Sequence, residues 1–207
     1  MSGFNLTRPA AAYLRKRLNL TPEEEEIALY GLQTIFYPAT GLLTILLAGW
    51  LLGCLPTTLA AALTAVSLRL LSGGAHARSP LTCNLLGMII APALGKVAAV
   101  AAPFFTPLGL ALVVTAGFSP SVVLVWRLAP VDSPAKPINS PEQRRKLRAL
   151  SVLLVLLITG GQFFFLLQGR ALDLVLAASL GLWWQTFTLT RAGHRFATLL
   201  DNFKERR

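Results

Sequence analysis

The chain has 207 residues, of which 54% are hydrophobic and 14% charged, with a formal net charge of +10. Soluble domains carry about 25% charged residues, so this composition excludes an ordinary water-soluble globule and points to one compact membrane unit over residues 1–207. The basic excess does not imply nucleic acid as a partner, because the cations cluster between and beyond apolar stretches.

Residues 1–20 contain no apolar signal-peptide core, and Arg15, Lys16 and Arg17 interrupt them. Residues 6–20 read as a short amphipathic helix on the membrane surface. Leu6, Tyr13, Leu14 and Leu18 dip into lipid while the three cations meet headgroups; the alternative is a solvated terminus. Thr21-Pro22-Glu23-Glu24 is a helix start, with Thr as N-cap, Pro at the first position and Glu24 closing a capping box. Four glutamates, 23 to 26, then occupy the positive end of the helix dipole.

Six apolar spans follow, at about 27–53, 57–71, 81–102, 108–126, 150–167 and 171–189, so the expected fold is all-α and polytopic. Pro38 is a possible kink in the first span. The second is short, roughly 23 Å against a hydrocarbon core of about 30 Å. The loop after it is therefore expected below the membrane surface, where irregular backbone must be buried in protein. Residues 127–149 form one long basic loop, and residues from Thr190 onward a charged tail. With the N-terminus in the cytoplasm, 17 of the 19 Lys and Arg residues fall on the inner side. Both termini and the loop after the second span are therefore expected there. The exceptions are Lys96, read as snorkelling or making an outer polar contact, and Arg170 in an outer turn. Trp50, Trp126, Trp183 and Trp184 fall towards span ends.

The stretch Leu68 to Asn84 interrupts this apolar chain. His76 and Cys83 are seven residues apart. A neutral imidazole can take the proton of a thiol, and the thiolate attacks a carbonyl. One continuous helix would hold the pair about 10 Å apart along its axis, out of hydrogen-bond reach. Gly73 and Gly74 permit a sharp turn, and Ser79-Pro80 starts a new helix. Cys83 then lies near that helix's first turn, where unpaired amides favour negative charge, and the loop can fold His76 back over the sulfur. A buried apolar role for the cysteine and a surface role for the histidine are the plainer alternatives. Arg69 either faces a polar cavity or snorkels to headgroups. Cys54, at the outer end of the first span, is expected a membrane thickness from Cys83, about 30 Å, too far for a disulfide. It is read as packing.

Arg69, Gly73-Gly74, His76 and Cys83, placed between two spans, resemble the accessory gene regulator B (AgrB) family. So does Ala129-Pro130-Val131-Asp132, followed by Lys136-Pro137-Ile138 and a basic run. These are membrane cysteine endopeptidases that process the quorum-sensing pro-peptide AgrD in Gram-positive bacteria. The resemblance implies His76 and Cys83 as a catalytic dyad. It implies substrate-binding or loop-supporting roles for Arg69, Gly73, Gly74, Lys136, Arg144 and Arg145. An AgrD-like pro-peptide with an acidic C-terminal part is the implied partner, within a lipid bilayer and with a homodimer expected. Cleavage through an acyl-enzyme thioester and closure of a macrocyclic (thio)lactone is the implied chemistry. No metal or cofactor is called for, since H-E-x-x-H, CxxC and paired inward carboxylates are missing from the sequence. An orienting partner for His76 is open between Asp132, Ser72, Gln162 and a backbone carbonyl. His194 reads as solvated. The competing reading is a non-enzymatic small membrane transporter or scaffold, with Arg69 and Lys96 as pathway charges.

Overall fold

The computed structural model describes residues 7–75, 80–132, 138 and 140–205, those at 80, 81 and 202–205 by backbone alone. The described chain is mostly helical, with no strand among the described residues: α1 (Arg8–Leu18), α2 (Pro22–Leu51), α3 (Leu55–Ser72), α4 (Pro80–Ala101), α5 (Pro107–Leu128), α6 (Pro141–Leu167), α7 (Leu172–Leu189) and α8 (Arg191–Glu205). Six of these, α2 to α7, are long and apolar enough to cross a membrane. The chain is thus an all-α, multi-pass membrane protein. It divides into two compact units, residues 1–44 and 45–207, so that α2 begins in one and ends in the other.

In the first unit the expected helix start is present. Glu24 N donates to Thr21 Oγ1 at 3.2 Å, and Thr21 N donates to Glu24 Oε2 at 2.8 Å. That reciprocal pair satisfies two amides that an open helix end would leave bare. Arg15 reaches back from α1 to Glu25 at 2.8 Å, and Asn19 ends α1 in the left-handed region, at φ 52°. α2 runs on through Pro38.

The second unit is built around α7. It packs against α3, α4, α5, α6 and α8. Of its residues 56% are buried, against 39% for α3 and less for the other spans. The composition of this core inverts that of a soluble protein. Thr57, Thr58, Ser72, Ser121, Ser151, Gln162, Ser179 and Gln185 are buried, while Leu63, Leu70, Ile89, Leu112, Trp126, Leu157 and Phe164 face outward. Outside is lipid, so the large apolar side chains gain nothing by hiding, and the polar ones must find partners within the protein. Ser151 Oγ bonds to Leu147 O at 2.7 Å, and Gln162 Nε2 to Ser179 Oγ at 2.9 Å. Small residues bring backbones close: a Cβ on Gly181 of α7 would stand 2.3 Å from the Ala61 carbonyl oxygen of α3.

Several expected boundaries shift. The second span begins at Leu55 rather than Thr57, because Pro56 sits in a first turn, where its missing N–H costs nothing. At 18 residues it is about 27 Å long, close to the bilayer core. The fifth span begins at Pro141, nine residues before the expected Leu150. Ser140 caps it, accepting from Gln143 N at 3.1 Å, and Glu142 lies in its first turn. The basic run 144–148 is therefore helical and the connection shortens to residues 129–140. The charged tail is not a tail but a helix, α8.

Cys54 is buried and packed as expected, with Sγ 3.5 Å from Thr58 Oγ1 and 3.9 Å from Pro92 O. Pro92 lies only nine residues from Cys83 along α4, about 14 Å of helix rise. The two thiols are thus well short of a membrane thickness apart, because the end of α2 meets the middle of α4 and not its far end. Both cysteines are free. Of the two readings of Lys96, snorkelling or a polar contact, the structure shows a contact: Nζ donates to Leu52 O at 3.0 Å, at the carbonyl end of α2.

Candidate active site

The site begins at the end of α3. The amide of Gly73 donates to Arg69 O at 2.9 Å and closes the last turn. The chain then reverses through Gly73 at φ 66°, ψ −149° and Gly74 at φ 142°. Side-chain-bearing L residues rarely adopt these angles. Space is short as well: a Cβ on Gly73 would stand 2.3 Å from Val131 O, and one on Gly74 2.6 Å from Thr188 Oγ1. Glycine is required at Gly73 by angle and by backbone contact, and at Gly74 chiefly by its angle, since the close atom there belongs to a side chain.

Irregular backbone next to a span must find its hydrogen bonds within the protein, and here it does. Val131 N donates to Ser72 O at 2.8 Å, and Ala75 N donates to Thr188 O at 2.9 Å. Gln185 Nε2 donates to Gly73 O at 2.8 Å and to Ser72 Oγ at 3.2 Å. Arg69 Nη2 donates to Ala75 O. Arg69 thus supports the loop, turning its guanidinium to a loop carbonyl rather than out to headgroups. Both backbone groups of Ala75, the residue before His76, are fixed. His76 itself and Ser79 lie outside the described residues.

α4 opens at Pro80, as expected, and Cys83 is its fourth residue. The thiol is half-buried and free, and lies within electrostatic reach of the Arg69 guanidinium. Residues 81 and 82 are among those whose amides have no intrahelical partner. Beside Cys83, the Thr82 hydroxyl is buried with no hydrogen-bond partner. Such a group costs about 1–3 kcal/mol and is rare enough to ask for a reason.

The second motif segment is attached to the first. Ala129 to Asp132 leaves α5 and is latched onto α6. Arg144 donates to Pro130 O at 3.2 Å and to Asp132 Oδ2 at 2.6 Å, and Arg148 Nε donates to Ala129 O at 2.9 Å. Asp132 Oδ1 also accepts from Ile138 N at 2.9 Å. The next amide along, that of Val131, holds Ser72. One chain of hydrogen bonds therefore runs from the basic start of α6 to the Gly-Gly turn. Arg144 supports the loop, Arg145 is exposed, and Lys136 lies outside the described residues.

Of the candidate orienters, Asp132 is held by Arg144, Ser72 by Gln185, and Gln162 bonds within the bundle to Val175 O and Ser179 Oγ. Among the described residues no group of His, Cys, Asp and Glu could hold a metal ion. No sequence motif marks Thr188 or Arg148. The one available signal is Gln185, an amide within a membrane span, since polar residues at such positions are costly and are kept for a reason.

The accessory gene regulator B family matches over residues 7–189. An AgrB-like protein of Clostridium perfringens strain SM101 is 29% identical over 208 aligned positions, covering 96% of each chain. A second AgrB-like protein, from strain 13 of the same species, is 28% identical, again with 96% of each chain covered. No solved structure matches significantly.

Proposed function

The chain belongs to the accessory gene regulator B family and so has its role in that quorum-sensing system as a multi-pass membrane protein; from this premise we propose that it is a cysteine endopeptidase that cleaves an AgrD-like pro-peptide. The observation that carries the reading is the meeting of three elements. A Gly-Gly turn is pinned on both flanks, a free thiol sits in the opening turns of the next helix, and Arg69 holds a carbonyl of the turn.

In this reading His76 takes the proton of Cys83, and the sulfur attacks the carbonyl carbon of the scissile peptide bond. The tetrahedral oxyanion is met by amides at the start of α4, with Arg69 and the unpartnered Thr82 hydroxyl at hand as further donors. Collapse breaks the C–N bond, and His76 returns its proton to the departing amine. The product is a thioester on Cys83. A thiol or hydroxyl of the substrate's own N-terminal fragment then displaces Cys83, closing a ring and restoring the enzyme. Exchange conserves the acyl activation that hydrolysis would lose, and a site that excludes water favours it by proximity. The experiment is intact-mass spectrometry of purified protein incubated with a synthetic pro-peptide. The expected result is an increment equal to the N-terminal substrate fragment, removable by hydroxylamine and mapping to Cys83. An adduct on Cys54 would overturn the assignment.

The proposed topology has both termini and the site towards the cytoplasm of a Gram-positive-type cell, resting on the 17 of 19 cations that fall on that side. The basic inner face then attracts the acidic C-terminal part of the substrate. A single cysteine introduced as Ser140→Cys, at the cap of α6, should resist a membrane-impermeant thiol reagent in intact cells and react after lysis. Ready reaction from outside would reverse the orientation.

A further inference from the structure

α8 was read from sequence as a charged tail, and its structure gives it another part. The helix turns back from α7 over a tight junction. Gly193 N donates to Thr190 Oγ1 at 3.2 Å and His194 N to Thr190 O at 3.1 Å. Gly193 lies so close to the end of α7 that a Cβ there would stand 2.4 Å from Phe187 O. Phe196 packs edge-on to Trp184 and Phe187, with ring centroids 6.0 and 6.3 Å apart.

At 100° per residue the helix has three faces. Gly193, Ala197 and Asp201 are buried against the protein. Ala192, Phe196 and Leu199 form an exposed apolar edge, with Leu199 57% exposed. Arg191, His194, Arg195 and Thr198 form an exposed polar edge carrying two permanent positive charges. The apolar edge begins just after the end of a membrane span, α7. A helix apolar on one edge and cationic on the next, at the end of a span, suits the boundary between acyl chains and anionic headgroups.

We infer that α8 lies in the bilayer interface, with Phe196 and Leu199 at the acyl boundary and Arg191 and Arg195 on anionic lipid headgroups, and that this seating steadies the Gly-Gly turn. The route is short. Gly193 abuts Thr188 and Phe187, and the carbonyl of Thr188 holds the amide of Ala75. Lipid contact on α8 therefore holds the end of α7, and the end of α7 holds the turn. That the turn serves catalysis rests on the protease reading; the placement of α8 does not.

The test uses the full chain with Cys54→Ala and Cys83→Ala, carrying a single bimane label at Leu199→Cys or at Thr198→Cys. The protein is reconstituted in phosphatidylcholine vesicles with or without phosphatidylglycerol. In anionic vesicles the label at 199 should be quenched by nitroxides on the upper acyl chain, and the label at 198 by aqueous iodide. Arg191→Gln with Arg195→Gln should expose position 199 to iodide and speed hydrogen exchange of the Ala75 amide. Equal iodide quenching at 199 and 198 would overturn the inference. So would protection of 199 that is unchanged in pure phosphatidylcholine and in the double variant, or that disappears when the protein is diluted, which would assign the edge to a second copy. None of these readouts uses cleavage, so failure here and failure of the protease reading are told apart.

Discussion

Cys83→Ala is expected to abolish pro-peptide cleavage, a loss of about 10⁴-fold or more in kcat/KM, with membrane insertion intact. The thiol is half-buried at the opening of α4 and takes no part in the hydrogen bonds that fix the Gly-Gly turn, so removing it should cost little stability. Cys83→Ser should retain only traces, because a hydroxyl gives up its proton far less readily than a thiol. His76→Ala should fall as far as Cys83→Ala. The double variant should match either single, since partners in one proton transfer lose their effect together. Cys54→Ala should cleave normally, its thiol being committed to Thr58 and Pro92. Cleavage assays on membranes with matched protein levels read all of this, and near wild-type cleavage by Cys83→Ala would refute the nucleophile.

Helix ends were legible in the sequence wherever capping chemistry stood next to apolar residues. Thr21-Pro22-Glu23-Glu24 was read as a start and is one. Ser140-Pro141-Glu142 has the same grammar, but the cations that follow it mask it, because a basic run reads as loop. Cations are excluded from the bilayer core and not from a helix that projects beyond it. α8 is hidden for the same reason: its charges suggest a solvated tail, and only their spacing marks a helix.

The two motif segments were each visible, but their joining was not. The bond from Val131 to Ser72 and those from Gln185 to Gly73 and Ser72 link residues far apart in the chain. No local pattern encodes which polar side chain of a later span will meet which carbonyl of an earlier loop. The backbone of the turn does find its bonds within the protein, but the expected reason, a second span too short to cross, does not hold, since α3 has 18 residues and is about 27 Å long. The wrong distance between the two cysteines came from treating spans as parallel rods of equal depth, when the end of α2 reaches the middle of α4.

Gly73→Ala should disable the enzyme without unfolding it. At φ 66° and ψ −149° the backbone is in a region open almost only to glycine, and an alanine there costs about 1–3 kcal/mol. The methyl group would also press on Val131 O, and relief requires moving the segment whose amide holds Ser72. Either adjustment displaces Gly73 O from Gln185, and the turn that precedes His76 loses its registration. The six spans have their own contacts and should persist. Far-ultraviolet circular dichroism should be unchanged, the melting temperature lowered and cleavage reduced by at least about 100-fold, as a displacement of about 1 Å can cost that much. Gly161→Ala is the matched control: it lies inside α6 with open space around its Cβ position, and should keep full activity and gain about 0.5–1 kcal/mol. Wild-type cleavage by Gly73→Ala would mean that the turn is not part of the catalytic apparatus, whatever the role of Cys83.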